Sequence, residues 1–455
     1  MKHRFGWWFR AGSAAAAVLL VGAALATAAG QQSGDRTGAI GDELKAGRAR
    51  NVILLIGDGM GDSEITIARN YAKGAAGTLN MDRLPFTGEY TTYAVEQGTD
   101  DVPVYVPDSA ATGTAWATGH KTYNNAVSVD PVTGDPLETI LELADDAGYR
   151  TGNVSTADIT DATPAVLGAH VSLRSCQGPA DMAACPGEEK PAGLGSIAEQ
   201  FVDHEIDVLM GGGKARFDQP TYTGETVTDQ AVAAGYQLVT DRAEMNAANL
   251  QDGPVLGLFA GGNMDLVWTG PLATPYPGPA ATTCATNAAY PGSEPRLPEM
   301  TAKAISLLDQ ATKNSNKGFF LQIEGASIDK QNHASNPCGQ IGETVAFDRS
   351  VALALAYANS HPRTLVIVTA DHGHTSQIIE PQSETDHSPG SIATLITADG
   401  VEMVINYATN LPGRSQSHTG TEVRVAAQGP QAANVLGVID QTEVFDIMAR
   451  ALGVN

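Results

Sequence analysis

The stretch VIVTADHGHT, residues 366–375, runs a β-branched apolar segment straight into Asp371, His372 and His374. Consecutive Val, Ile and Thr are what a strand buried on both faces requires, and the glycine just beyond lets polar side chains crowd at the strand's end. A turn with no function has no need of three ligand-type side chains there. The same arrangement recurs along the chain. VILLIGDGMG, residues 52–61, delivers Asp58 on a glycine-flanked turn, the run Thr151–Ser155 is followed by Asp158 and Asp161, and FFLQIEGASIDKQNH, residues 319–333, carries Glu324 at its strand end. Asp207–Met210 is a further strand candidate, and apolar residues three and four apart mark helices over Leu137–Asp146, Met300–Thr312, Gly342–Asn359 and Thr442–Leu452. Short apolar runs alternating with helical patterns predict an α/β fold with one large, central, mostly parallel sheet flanked by helices. Ligands of such sheets collect beyond the carboxyl ends of the strands. The acids and imidazoles, though distant in sequence, are therefore expected to converge.

Two stretches, about 215–298 and about 379–413, are rich in Gly, Pro, Thr and Asn and read as insertions or lids on this scaffold. At the amino end Lys2, Arg4 and Arg10 precede an uncharged stretch over 14–29 that contains Ala26-Thr27-Ala28, the order of a secretory signal. The expected division is a signal over 1–28, a lead segment over 29–49 and a single domain over 50–455. An uncleaved anchor is the competing reading, but Ala and Gly make the stretch weakly apolar. The mature protein is expected to be exported, periplasmic or extracellular, with no stable membrane association. Cys176, Cys185, Cys284 and Cys338 then reach an oxidising compartment, where two disulfides are expected with all three pairings open. With 27 Lys plus Arg against 51 Asp plus Glu the formal charge is −24, and loss of the signal's three basic residues makes it −27. Such a surface excludes nucleic-acid binding and also repels phosphate esters. Any anion-processing site must concentrate positive charge locally, which metal ions do most compactly.

Several residues carry chemistry, each with an ordinary alternative. Asp329 and His333, four apart, fall on one helical face and can chelate one divalent ion, although a surface pair has the same spacing. His418, in SHTG (417–420), sits on a turn before another strand pattern and read alone is a loop histidine. In PDSAATGTAWATG (107–119) Ser109 stands at a helix start, where the dipole and free amides suit an oxyanion. Asp or Ser there is also the usual N-cap, and the segment is not a GxSxG elbow. Arg174, in AHVSLRSC beside Cys176, can grip two phosphate oxygens or be one more surface arginine. MGGGK (210–214) lacks the spacing of a phosphate-binding loop and reads as a glycine-rich turn.

Taken in order, GDGMGDSE (57–64), DSAAT (108–112), DATPA (161–165), AHVSLR (169–174), EGASIDKQNH (324–333), TADHGH (369–374) and SHTG (417–420) make the chain closely resemble the alkaline phosphatase family, in its bacterial periplasmic form of enteric type. The resemblance implies hydrolysis of phosphate monoesters to alcohol and inorganic phosphate through a phosphoserine at Ser109. It implies two Zn2+ and one Mg2+ per subunit: one zinc on Asp329, His333 and His418, the other on Asp58, Asp371 and His372, and magnesium on Asp58, Thr163 and Glu324. Arg174 would hold the phosphoryl group, Lys330 would reach it through water, and Asp161 would act through the magnesium waters. The Asp161 and Lys330 pair argues for magnesium rather than a third zinc, and His374 receives no ligand role. Disulfides Cys176–Cys185 and Cys284–Cys338, a crown-like insertion at about 379–413 and a homodimer also follow from the resemblance. A sulfatase would need a CxPxR-type setting that DSAAT does not offer. A phosphodiesterase fits less well because Arg174 suits the extra charge of a monoester, and an inactive phosphate- or metal-binding protein has no use for Ser109 beside a full ligand set.

Overall fold

The computed structural model describes Gly41, Leu44 and residues 47–454. The expected signal and most of the lead segment lie outside the described residues. A ten-stranded sheet organises the chain. Its strands are β1 (Asn51–Gly57), β2 (Phe86–Thr91), β3 (Arg150–Asp158), β4 (Val208–Gly212), β5 (Gln237–Val239), β6 (Val255–Leu258), β7 (Phe319–Gly325), β8 (Thr364–Ala370), β9 (Val423–Gln428) and β10 (Val438–Asp440). They lie in the order β10-β2-β9-β8-β1-β7-β3-β4-β6-β5. Only β9 runs against its neighbours, pairing antiparallel with β8 and β2. The strands expected from apolar runs are the contiguous middle, β8-β1-β7-β3-β4, and every residue of β1, β7 and β8 is buried. The outer strands were missed or, for β9, only sensed as a pattern after SHTG. The reading of 215–298 as insertion needs correcting too, because β5 and β6, three and four residues long, complete one sheet edge from within it. Runs that short cannot show a period.

Register explains why the strand ends meet. Gly57 of β1 is level with Gly325 of β7 on one side and Ala370 of β8 on the other. Asp58, Glu324 and Asp371 therefore emerge at one height on adjacent strands. Helices pack on this sheet through the apolar stripes that predicted them: α4 (Leu297–Thr312) buries Met300, Ala304, Leu307 and Leu308, and α6 (Pro337–Ser360) buries Phe347, Val351 and Ala354. Burying a side chain such as Phe347 contributes about 1.5–3 kcal/mol. The helix expected from Leu137 begins instead at Ile140, because Thr139 caps it in a reciprocal box with Glu142. The segment after β7 forms a separate short helix, α5 (Ser327–His333). Ser335, with φ 53°, and the N-cap Asn336 before Pro337 turn the chain into α6. Between β8 and β9 the chain builds a three-stranded antiparallel sheet from 376–379, 402–407 and 391–396. Both disulfides are present, Cys176–Cys185 and Cys284–Cys338.

Candidate functional site

Beyond the carboxyl ends of β8, β1, β7 and β3 the ligand-type side chains converge as two clusters that share Asp329. In one, Asp329 Oδ1 lies 3.3 Å from His333 Nε2, 3.2 Å from His418 Nε2 and 3.0 Å from His374 Nε2. In the other, His372 Nε2 lies 3.6 Å from Asp58 Oδ1 and 3.2 Å from Asp371 Oδ2. Backbone contacts decide what each ring can do. His418 Nδ1 donates to the Pro107 carbonyl at 2.9 Å, His333 Nδ1 to the Gln416 carbonyl and His372 Nδ1 to the Gly373 carbonyl at 3.2 Å. Each of these rings therefore presents a bare Nε2, as a metal ligand must. His374 is the reverse: its Nδ1 accepts the Thr375 amide at 2.9 Å, so the proton sits on Nε2, facing Asp329. Its N–H side therefore faces that carboxylate, and the ring turns no lone pair toward the cluster.

The carboxylates are sorted in the same way. Asp371 Oδ1 accepts the amides of Gly59 and His372, both at 2.8 Å. Its Oδ2 has no hydrogen-bond partner. Neither do Asp58 Oδ1, Asp329 Oδ1 and Thr163 Oγ1, and all four atoms are buried. Buried oxygens without partners normally cost a fold about 1–3 kcal/mol each. Finding them on residues that the zinc and magnesium assignments name is what a metal-holding cage predicts, and the donor types fit: imidazole and carboxylate for zinc, oxygen for magnesium. Glu324 accepts the Ser155 hydroxyl and lies beside Thr163. Burial, ahead of any neighbour, pushes Glu324 up to about 7. Burial also raises Asp58, with the charges of Asp329 and Asp371 adding to it, while Lys330 only partly offsets them. The site as built by protein alone is short of positive charge.

Ser109 opens helix α2 (Ser109–Thr118) and its Oγ lies 3.3 Å from His372 Nε2. Asp108 before it accepts the Ala111 amide at 3.1 Å, as an N-cap does, but it also accepts from Arg174 Nη1 at 3.0 Å. Arg174 Nη2 donates to Asp161 Oδ1 at 2.7 Å, and Lys330 Nζ to Asp161 Oδ2 at 2.8 Å. Burial works against the Asp161 charge, yet Lys330 and Arg174 together hold it well below the usual carboxylate range. Two carboxylates thus aim one guanidinium, whose remaining N–H groups stay free for an anion. Every residue assigned to the site from sequence is brought to this one place. What sequence reasoning missed acts mainly through the backbone, as the carbonyls of Pro107 and Gln416 do, and leaves no side-chain signal. Asp108 was visible only as a cap.

Against known proteins, the sequence model described as alkaline phosphatase matches residues 49–413 and 405–454. The chain is 54% identical to streptomycin-6-phosphate phosphatase of Streptomyces griseus over 416 residues, 90% of this chain and 91% of that protein. It is 53% identical to alkaline phosphatase of Escherichia coli K12 over 436 residues, 93% of this chain and 90% of that one. Among solved structures, alkaline phosphatase of the Antarctic bacterium TAB5 superposes with a TM-score of 0.68 at 24% identity, covering 90% of this chain and all of that chain. A variant of that enzyme with Mg bound in its M3 site gives 0.66 at 25% identity, with the same coverage.

Proposed function

From the premise that the chain belongs to the alkaline phosphatase family and is a phosphoric monoester hydrolase, we propose that it works through a phosphoserine intermediate on Ser109 at a two-zinc, one-magnesium site. Asp329, His333 and His418 would hold one zinc, Asp58, Asp371 and His372 the other, and Asp58, Thr163 and Glu324 the magnesium. When bound, the ions supply Lewis-acid charge that favours the Ser109 alkoxide and offsets charge on the phosphoryl and leaving oxygens. The observation that carries the reading is the set of partnerless buried oxygens on Asp58, Thr163, Asp329 and Asp371, gathered around a hydroxyl and a guanidinium.

The chain's own residues do the rest. Ser109, buried at a helix start, is held where its Oγ can attack phosphorus in line as the ester oxygen departs. Arg174, aimed by Asp108 and Asp161, grips equatorial phosphoryl oxygens and is not spent on the alcohol. Lys330, half-buried between Asp161 and the metal carboxylates, reaches the phosphoryl group through water. Asp161 would act through water on magnesium, and a variant of a relative of similar fold that carries Mg in its M3 site supports that choice of ion. A site that holds phosphate rather than alcohol favours many monoesters, in keeping with relatives named both for a general activity and for a single aminoglycoside phosphate. The amino-terminal pattern supports export of the chain, and no helix among the described residues is long and apolar enough to cross a membrane. The small sheet within 376–407 is our candidate for the dimer crown.

The test is p-nitrophenyl phosphate hydrolysis by wild type and Ser109→Ala, before and after chelation and after return of zinc with magnesium. Activity lost on chelation, restored by both metals and absent from the variant is expected. Full turnover by the variant would remove Ser109 from the mechanism, and a zinc-loaded wild type without turnover would point to a binding protein.

A further inference from the structure

A second group of metal-type side chains lies outside this site. Glu142 comes from the helix Ile140–Asp146, His170 from the segment before Arg174, and His204 caps the end of the helix Ile197–Asp203. Their ligand atoms all fall within 4.8 Å of one another. Glu142 Oε1 lies 2.9 Å from His170 Nε2 and 3.4 Å from His204 Nε2. For bonds of about 2.0–2.1 Å at tetrahedral angles, neighbouring ligand atoms stand about 3.3 Å apart. The ring planes of the two histidines meet at 66°. They approach the carboxylate from different segments, His170 from an irregular stretch and His204 from a helix end, rather than stacking on each other.

The surroundings are built as metal surroundings are. His170 Nδ1 donates to the Ser128 carbonyl at 2.8 Å, which turns Nε2 toward Glu142. Ser128 is buried and takes φ 46°, a conformation unusual for serine, in placing that carbonyl. Glu142 Oε2 is occupied by the Thr139 amide at 2.8 Å, leaving Oε1 for the histidines. The His170 amide donates to Gln200 of the His204 helix at 2.8 Å, so the second histidine arrives on an element already docked to the first. The cluster lines an open cleft of about 410 Å³ whose rim also carries Glu138, Asp145 and Asp146. That acidic rim draws in cations, and solvent can deliver them.

We propose that Glu142, His170 and His204 form a separate, non-catalytic site for a divalent transition ion, zinc by preference, with water completing the tetrahedron. Two imidazoles and one carboxylate suit zinc, and not magnesium or calcium. Bound there, the ion ties three elements together, one of them the segment that leads into Arg174.

Enzyme carrying its catalytic zinc and magnesium is dialysed against buffered zinc, and metal per subunit is counted for wild type, His204→Ala and His204→Gln, with p-nitrophenyl phosphate turnover measured on the same samples. Wild type is expected to hold one more zinc per subunit than either variant, with equal turnover and a thermal midpoint that zinc raises in wild type alone. The variants should bind that zinc more weakly by more than the roughly 10–100-fold that losing an outer-shell partner costs. Equal zinc content in all three proteins would overturn the site and leave His204 as a helix-end residue without a metal. Zinc and turnover lost together in both variants would assign the missing ion to the catalytic centre and overturn it equally.

Discussion

Arg174 offers the sharpest test of how the site holds phosphate. Its Nη1 and Nη2 each give one hydrogen to Asp108 and Asp161, at 3.0 and 2.7 Å, so the guanidinium is fixed in direction while three of its five N–H groups remain. Two of these can meet two phosphoryl oxygens. Charge-assisted hydrogen bonds contribute about 1.5–3 kcal/mol each, so losing the pair costs at most about 6 kcal/mol. The side chain keeps 23% of its surface exposed, and water would recover part of that loss in Arg174→Ala. A net cost of about 2–4 kcal/mol, or about 30–1,000-fold in kcat/KM, is expected. Arg174→Lys restores a charge but neither the two-point grip nor the two carboxylate anchors, so it should fall between wild type and the alanine variant. Steady-state kinetics with p-nitrophenyl phosphate, with inorganic phosphate as competitor, measures both grips, because product and substrate present the same oxygens. If Arg174→Ala stays within about threefold of wild type, or phosphate inhibition does not weaken with it, the guanidinium does not hold the phosphoryl group.

Removing the ring that abuts Asp329 should loosen the metal: His374→Ala is expected to lose activity at about 10–100-fold lower chelator concentration, with metal-saturated turnover much less affected. Unchanged chelator sensitivity would make His374 a packing residue. The Cys284–Cys338 bridge spans 54 residues against 9 for Cys176–Cys185. Loop entropy therefore assigns about 4 and about 2.6 kcal/mol to them, and the paired Cys284→Ser/Cys338→Ser variant should melt lower than its counterpart; the opposite order would show that native-state effects dominate. Glu343 is pushed up to about 7, by burial first, although it accepts the Val267 amide at 2.9 Å. From about pH 4.5 to 7 the folded chain then binds the extra proton, so stability falls as pH rises through that window and levels off above it. Glu343→Gln should flatten this slope in thermal melts, and a slope unchanged by the substitution would refute the assignment.

The legible parts of the fold were those whose physics is written in contiguous residues. β1, β7 and β8 are buried on both faces, so their sequences are unbroken apolar runs, and Asp58 and Asp371 announce themselves by ending such runs. β5 and β6 are too short to carry a period and owe their existence to the edge left open by β4. The site divides similarly. Residue types and family order named Asp329, His333 and His418, but nothing in TADHGH says that His374 must turn its N–H toward Asp329. That follows from the Thr375 amide on its Nδ1, a fact of backbone direction. Glu142, His170 and His204 lie apart in sequence with no run or spacing to join them, and only the docking of two helices brings them together.

A charge of −24 makes the arrangement around Arg174 consequential. A free arginine would be enough to attract phosphate, but this one is already balanced by Asp108 and Asp161, and Lys330 is shared between Asp161 and the carboxylates of the metal cage. The protein's own cations at the site are thus used to set positions, and leave little net attraction for an anion. On the proposed metal site the charge that binds phosphate would come from the ions, which would also give the buried oxygens of Asp58, Asp371 and Thr163 the partners they lack. Metal loading, cage stability and phosphate affinity would then be one linked equilibrium, because Asp58, Asp329 and Asp371 repel one another until positive charge is placed among them. The aimed but neutralised guanidinium then contributes direction, selecting the tetrahedral phosphoryl group from among the anions that the field alone would admit.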